Sequence, residues 1–189
     1  MKRIGILGGT FDPPHLGHLI IAEEVRQKVG LDEVWFIPSF TPPHKDGAIA
    51  SPEVRVRMVE LAIASNPIFK VNTIELERSG NSYTFDTISL LKENHPSVDF
   101  YFIIGADMVE YLPHWHKINE LIRMVDFVGV KRSGYKLSSH YPIIEINIPI
   151  IEISSTLLRE RLKNSESVAY LTPEKVYSYI KEKRLYEER

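Results

Sequence analysis

The chain has 189 residues, 43% hydrophobic and 25% charged. This is an ordinary globular composition that excludes a disordered or fibrous chain and predicts a single domain over 1–189. Lys and Arg number 23 against 25 Asp and Glu, a net charge of -2, which excludes a generic basic nucleic-acid binder but leaves room for a local cationic pocket. The absence of cysteine removes disulfides, thiolate zinc sites, iron–sulfur clusters and a cysteine nucleophile together.

In chain order, the first predicted strand is 3–7, where Ile4-Gly5-Ile6-Leu7 is apolar on both alternating faces. A helix from His18 follows, with Leu19, Ala22, Val25 and Val29 at a spacing of three to four. A strand is predicted at 33–38, then a proline-rich loop over 38–52, a length typical of functional loops. Ser51-Pro52 gives an N-cap with proline at the first helical position, ahead of Val54, Met58 and Leu61. A strand at 69–76 precedes a helix capped by Ser82 or Thr84. Strands at 99–104, 127–130 and 143–148 follow. The stretch 154–189 has no strand pattern and is expected to be a small helical appendix, with Thr172-Pro173 capping its last helix. Strand–helix alternation and strands apolar on both faces imply an α/β fold with a mainly parallel sheet in three layers. Met1-Lys2-Arg3 is not followed by a long enough apolar run to be a signal sequence. No later run approaches the ~20 residues of a membrane span, so a soluble cytoplasmic protein is expected.

Four stretches carry candidate chemistry. Gly8-Gly9-Thr10-Phe11-Asp12-Pro13-Pro14-His15-Leu16-Gly17-His18 links the first strand to the first helix, where α/β folds bind ligands. Gly8 and Gly9 let backbone N–H groups approach an anion. The helix N-terminus adds about half a positive charge. His15 and His18 share a helix face and can donate to a phosphate, with Gly17 leaving room for a bulky ligand group. The glycine spacing does not fit a dinucleotide fingerprint. A metal held by Asp12, His15 and His18, or histidines that merely cap and pack, stay open as alternatives. The second stretch, Ile153-Ser154-Ser155-Thr156-Leu157-Leu158-Arg159, offers hydroxyls and free N–H groups at a helix start, with Arg159 able to reach the same anion. The third is Pro42-Pro43-His44-Lys45, where Lys45 suits phosphate. The fourth is Gly105-Ala106-Asp107, whose carboxylate suits ribose hydroxyls or a metal; Tyr111, Trp115 and His116 follow, and Trp115 suits stacking on a flat ring. For each of these, a plain capped helix, an exposed lysine or a core tryptophan is the competing reading.

These residues also carry a resemblance. Gly8–His18 reads as GGTFDPxHxGH and 153–159 as ISSTxxR, in the order found in the HxGH nucleotidyltransferase superfamily. Within it the chain resembles the adenylyltransferases of bacterial NAD synthesis, through Pro42-Pro43-His44-Lys45, Ser82-Tyr83-Thr84-Phe85-Asp86-Thr87, Ile104-Gly105-Ala106-Asp107 and Leu112-Pro113-His114-Trp115. The resemblance implies a Rossmann-like sandwich that transfers AMP from ATP, with Mg²⁺, to nicotinate mononucleotide. It implies that His15, His18 and Arg159 are catalytic. Gly8, Gly9, Thr10, Phe11, Asp107, Arg132, Ser154, Ser155 and Thr156 would join them in binding ATP. Lys45, Thr84, Tyr111 and Trp115 would bind nicotinate mononucleotide. No protein metal site, nucleic acid or membrane is expected, and self-association into a homo-oligomer stays open. His116 departs from the pattern, where a tyrosine is expected. Other HxGH transferases, such as pantetheine-phosphate adenylyltransferase or a cytidylyltransferase, and a non-catalytic nucleotide sensor are the alternatives.

Overall fold

The computed structural model describes residues 1–40, 48–78, 83–131, 139–149 and 151–187. Among them, the strands β1 (Lys2–Gly9), β2 (Glu33–Pro38), β3 (Phe69–Val71), β4 (Val98–Gly105), β5 (Asp126–Val130) and β6 (Ile143–Ile146) form one sheet in the order β3-β2-β1-β4-β5-β6. Every neighbouring pair is parallel. The helices are α1 (Leu16–Val29), α2 (Pro52–Ile63), α3 (Thr84–Asn94), α4 (Ala106–Tyr111), α5 (Ile118–Leu121), α6 (Ser155–Lys163) and α7 (Glu174–Lys183), with a 3-10 turn at Leu112–His114.

Alternation along the strands separates two apolar layers. Ile4 and Ile6 of β1, with Phe100, Phe102 and Ile104 of β4, meet Ile88 and Leu91 of α3, Val109 of α4 and Leu121 of α5. Leu7, Tyr101 and Ile103 point the other way. They join Ala22 and Val25 of α1, Met58 and Val59 of α2, Leu158 and Leu162 of α6, and Val176 and Ile180 of α7. Fully burying one such side chain stabilises by about 1.5–3 kcal/mol, and the sheet is covered on both faces. The stretch after Ser154 is helical as expected, and its apolar face is built into the same layer as α1 and α2.

Several local expectations are corrected. The strand expected at 69–76 stops at Val71. There the Asn72 side chain accepts from the N–H of Ile74 at 3.0 Å and Leu76 N–H bonds Thr73 O at 2.8 Å, so the backbone turns instead of pairing. Helix α1 starts at Leu16, two residues before the periodic apolar set, because His15 serves as its N-cap. Thr172 does not cap α7, since its hydroxyl donates to Pro14 O at 2.7 Å. Thr84 is the first helical residue of α3, with Tyr83 at the cap; Ser82 lies outside the described residues. The short α4 and α5 were not predicted, being too brief for a periodicity to show.

The strand order reverses between β1 and β4. In such sheets the crevice outside the carboxyl ends of those two strands is the ligand site, and here those ends are Gly8-Gly9 and Gly105. Among the described residues no helix is long and apolar enough to cross a membrane.

Candidate active site

Beyond Gly9 the chain turns sharply before α1. Phe11 adopts a left-handed backbone with φ 52, and its buried ring lies over Gly9. A Cβ on Gly9 would stand 3.0 Å from that ring. The same ring meets the edge of His18 at 4.9 Å between centroids. His15 and His18 stack, with centroids 3.7 Å apart and planes at 25°. The backbone N–H of His15 donates to His18 Nδ1 at 3.1 Å. A neutral His18 therefore carries its proton on Nε2, which makes that atom a hydrogen-bond donor. Gly17 makes room for its neighbour as well as for the groove. A Cβ there would lie 2.9 Å from His15 Nδ1, and the residue also lines the second cavity described below.

The turn that carries the histidines is strapped from several directions. Ser155 Oγ donates to Pro13 O at 2.8 Å. Arg159 donates to Asp12 O at 2.9 Å and to Thr156 Oγ1 at 3.2 Å. Thr172 reaches Pro14 O, and Leu16 N–H donates to Leu171 O at 2.9 Å. Ser154 caps α6 by accepting from Leu157 N–H at 3.1 Å. The sequence reading overlooked Arg55, which is 1% exposed. It donates to Thr10 O and Ser39 O, both at 2.8 Å. Burial pulls its pKa down, opposed by the charge of Asp12. Asp12 itself is 3% exposed. Its carboxylate accepts from Ile49 N–H, Ala50 N–H and the hydroxyl of Tyr186. Those three donors engage both of its oxygens and make Asp12 a structural anchor of the turn. Among the described residues no group of three or more His, Asp or Glu is placed to hold a metal ion.

A cavity of about 540 Å³ opens at the carboxyl ends of β1 and β4. Gly8, Gly9, Thr10 and His18 form one end of it; Thr84, Asp107 and Trp115 form the other. Trp115 is fixed by edge contacts to Phe102 and Phe127, each at 5.9 Å. His116 also lines this cavity, packed on Tyr83 at 4.8 Å. A second cavity of about 260 Å³, lined by His15, Gly17, Lys131 and Ser154 among others, shares His18, Ile21 and Gly105 with the first. The two are halves of one groove that passes over the start of α1. In the first turn of α1 the N–H of Leu16 donates to Leu171 O and that of His18 to His15 O, and the helix dipole adds a positive field there.

A model of the cytidylyltransferase-like family matches residues 6–161. A protein of Oceanobacillus iheyensis named "Probable nicotinate-nucleotide adenylyltransferase" is 58% identical over 186 residues, 98% of this chain and 97% of its own. The Bacillus subtilis protein named nicotinate-nucleotide adenylyltransferase is 52% identical over 188 residues, 99% of this chain and 100% of its own. The chain belongs to the nicotinate-nucleotide adenylyltransferases of the cytidylyltransferase-like family. The fold has solved counterparts. One is the Plasmodium falciparum nicotinic acid mononucleotide adenylyltransferase complexed with NaAD, with a TM-score of 0.84 at 22% identity, covering 98% of both chains. The same enzyme complexed with APC matches with a TM-score of 0.81 at 23% identity.

Of the residues singled out from sequence, Gly8, Gly9, Thr10, His15, His18, Thr84, Asp107, Trp115 and Ser154 line the groove. Phe11, Ser155 and Arg159 line neither cavity but hold the turn beside the groove, Phe11 against His18 and the other two through Pro13 O and Asp12 O, and Thr156 is an exposed acceptor for Arg159. Tyr111 is not brought to either cavity wall; it is 40% exposed and rests on His114 at 4.9 Å. Lys45 and Arg132 lie outside the described residues. The groove also contains Ser39, Glu75 and Met108, which nothing in the sequence pattern marked.

Proposed function

We propose that the chain transfers the adenylyl group of ATP to nicotinate mononucleotide, releasing pyrophosphate and forming nicotinate adenine dinucleotide for NAD synthesis. One observation carries the reading: two cavities that share His18 and Gly105 at the switch point of the sheet, long enough together for a nucleotide at each end. The names carried by full-length relatives more than half identical to the chain support it.

In this mechanism no protein nucleophile is needed. The 5′-phosphate oxygen of nicotinate mononucleotide attacks the α-phosphorus of ATP in line. The new P–O bond forms as the bond to the β-phosphate bridging oxygen breaks, and that oxygen leaves with pyrophosphate. Such transfers are catalysed by positioning and by stabilising developing charge. His18 Nε2–H is the donor for the charge on the α-phosphoryl oxygens, and His15, stacked on it, holds its orientation. The N–H groups of Thr10 and Phe11 line the approach. Ser154, Ser155, Thr156 and Arg159 at the start of α6 receive the β- and γ-phosphates, with Arg132 a further contact on the adenylate side. Mg²⁺ bound with ATP would offset part of the triphosphate charge, with no cluster of His, Asp or Glu among the described residues placed to hold it. Asp107 takes the ribose hydroxyls of ATP, while at the other end Trp115 stacks on the pyridine ring and Lys45 binds the phosphate of nicotinate mononucleotide. The first-turn N–H groups of α3, beginning at Thr84, are donors only. They favour a carboxylate over a carboxamide, whose own N–H donors would be left opposite them.

The test is pyrophosphate release with ATP, Mg²⁺ and nicotinate mononucleotide, with nicotinamide mononucleotide, pantetheine phosphate and CTP as comparison substrates. Release with the nicotinate substrate at the largest kcat/KM is expected. ATP binding without release would make the chain a nucleotide sensor, and preference for CTP or pantetheine phosphate would reassign the substrate.

A further inference from the structure

Beneath the turn that leads into His15 lies a buried polar assembly that has no place in the chemical steps above. Thr10 O, Asp12 O, Pro13 O and Pro14 O, the carbonyls leading into His15, are held by side chains from three distant parts of the chain: Arg55 of α2, Arg159 and Ser155 of α6, and Thr172 before α7. At the centre stands the Asp12 carboxylate. It accepts from Ile49 N–H at 2.7 Å, Ala50 N–H at 3.2 Å and the Tyr186 hydroxyl at 2.6 Å.

Tyr186 comes from the far end of the chain. Immediately beyond α7, Arg184 caps the helix at φ 50, and Tyr186 follows two residues later at φ 67. Left-handed backbone is sterically costly for residues other than glycine, and two such residues in three need surroundings that over-determine them. The outcome here is a phenol turned inward onto Asp12, with its oxygen also 3.9 Å from Met58 Sδ. Burial, reinforced by the neighbouring carboxylate, raises the pKa of the phenol, so it stays a donor across the working range of pH.

We propose that Tyr186 is a positioning residue for ATP: its hydroxyl fixes the Asp12 carboxylate, and through Asp12 the carbonyl that orients Arg159 and the turn that presents His15 and His18. The inference rests on the adenylyl-transfer reading above. Without the hydroxyl, Asp12 Oδ1 keeps only the longer bond from Ala50. The residue is then free to tilt, carrying the acceptor of Arg159 with it. None of these contacts touches Thr84, Trp115 or the rest of the ring end, so the effect is confined to one substrate.

Tyr186→Phe in the full chain keeps the ring and removes the donor. A lost hydrogen bond to a charged group corresponds to roughly a tenfold effect or more. The expected result is a rise of about tenfold in KM for ATP, matched by weaker binding of a non-hydrolysable ATP analogue, with KM for nicotinate mononucleotide within about twofold of the parent. Asp12→Asn cuts the same link from the other side and is expected to give the same ATP-selective rise, which covers the case in which the phenylalanine variant folds poorly. A variant with a lowered melting temperature and both KM values unchanged would make Tyr186 a stabilising residue only and overturn the proposal. If the parent protein binds the ATP analogue but releases no pyrophosphate, the transfer reading fails. The analogue affinities of parent and variant then still decide the role of Tyr186.

Discussion

The two ends of the groove are built by opposite means. The phosphate end is a polar turn held by hydrogen bonds from β2's exit, α2, α6, the segment before α7 and the residue Tyr186. The ring end is shaped by aromatic edges, with Trp115 wedged on Phe102 and Phe127 and His116 leaning on Tyr83. Trp115 Nε1 is buried without a hydrogen-bond partner among the described residues, an uncommon state for a buried donor. The contrast teaches where each kind of precision is needed. Charge developing on a phosphoryl group rewards donors that are already in place, whereas a flat ring needs a slot of the right shape and tolerates looser polar matching. Mutations at the first end should therefore cost rate, ATP affinity or folding, and those at the second should cost affinity for the pyridine nucleotide alone.

The sharpest way to break this contrast is His18→Ala. Removing one preorganised donor costs about 2.7–4 kcal/mol, or 10²–10³ in rate. Turnover should fall by that factor with an unchanged melting temperature, measured by pyrophosphate release and a thermal scan. Near-normal turnover would end the case for a special phosphate end. Arg55→Met probes the scaffold of that end instead of its chemistry. The substitution removes the charged donor from Thr10 O and Ser39 O, both part-buried. A hydrogen bond to a charged group contributes about 1.5–3 kcal/mol, so the urea midpoint should drop, and kcat should fall only as far as the turn loosens. Trp115→Ala addresses the ring end. Loss of aromatic stacking costs about 1–3 kcal/mol. That predicts a rise of roughly tenfold or more in KM for nicotinate mononucleotide, with KM for ATP and the melting temperature nearly constant. An equal rise in both KM values would mean that the two ends are not independent.

How much of this was legible in the sequence follows the same division. The phosphate end announced itself, because Gly9, Gly17, His15 and His18 are local in sequence and each is demanded by a local contact: Phe11 over Gly9, and His15 over Gly17. The strand alternation was also readable, since Ile4, Ile6, Phe100, Phe102 and Ile104 repeat with the period of the pleat. What stayed hidden was long-range satisfaction of polar groups. Arg55 sits among the apolar residues of α2 and reads as a solvated helix arginine until Thr10 O and Ser39 O are placed beside it. Tyr186 reads as a terminal residue until it meets Asp12, 174 positions away. The end of β3 was misjudged for a similar reason, since Asn72 withdraws the backbone from the ladder inside a run of otherwise strand-forming residues.

The smallest expected effect supplies the control. On α1, beyond the histidines, Arg26 donates to both carboxylate oxygens of Glu23, at 2.9 and 2.7 Å. The Arg26 hydrogen bond lowers the pKa of Glu23, outweighing the upward push of burial, and Gln27 adds to the lowering. A carboxyl with a lower pKa in the folded state stabilises the fold at pH values above its unfolded pKa of about 4.3. That contribution fades as pH falls through the lower, folded value. Glu23 is over a third exposed on its side chain, so solvent screening keeps the pair at no more than about 1 kcal/mol. Glu23→Gln should therefore lower the unfolding free energy slightly at pH 7 and not at all once pH is well below the carboxylate range, as read by chemical denaturation at both values. Its kinetic constants should match the parent at neutral pH. Charge on α1 would then matter only where its N-terminus meets the nucleotide, and a change in KM for ATP from this substitution would show that the field of the whole helix, and not the imidazoles, governs the phosphate end.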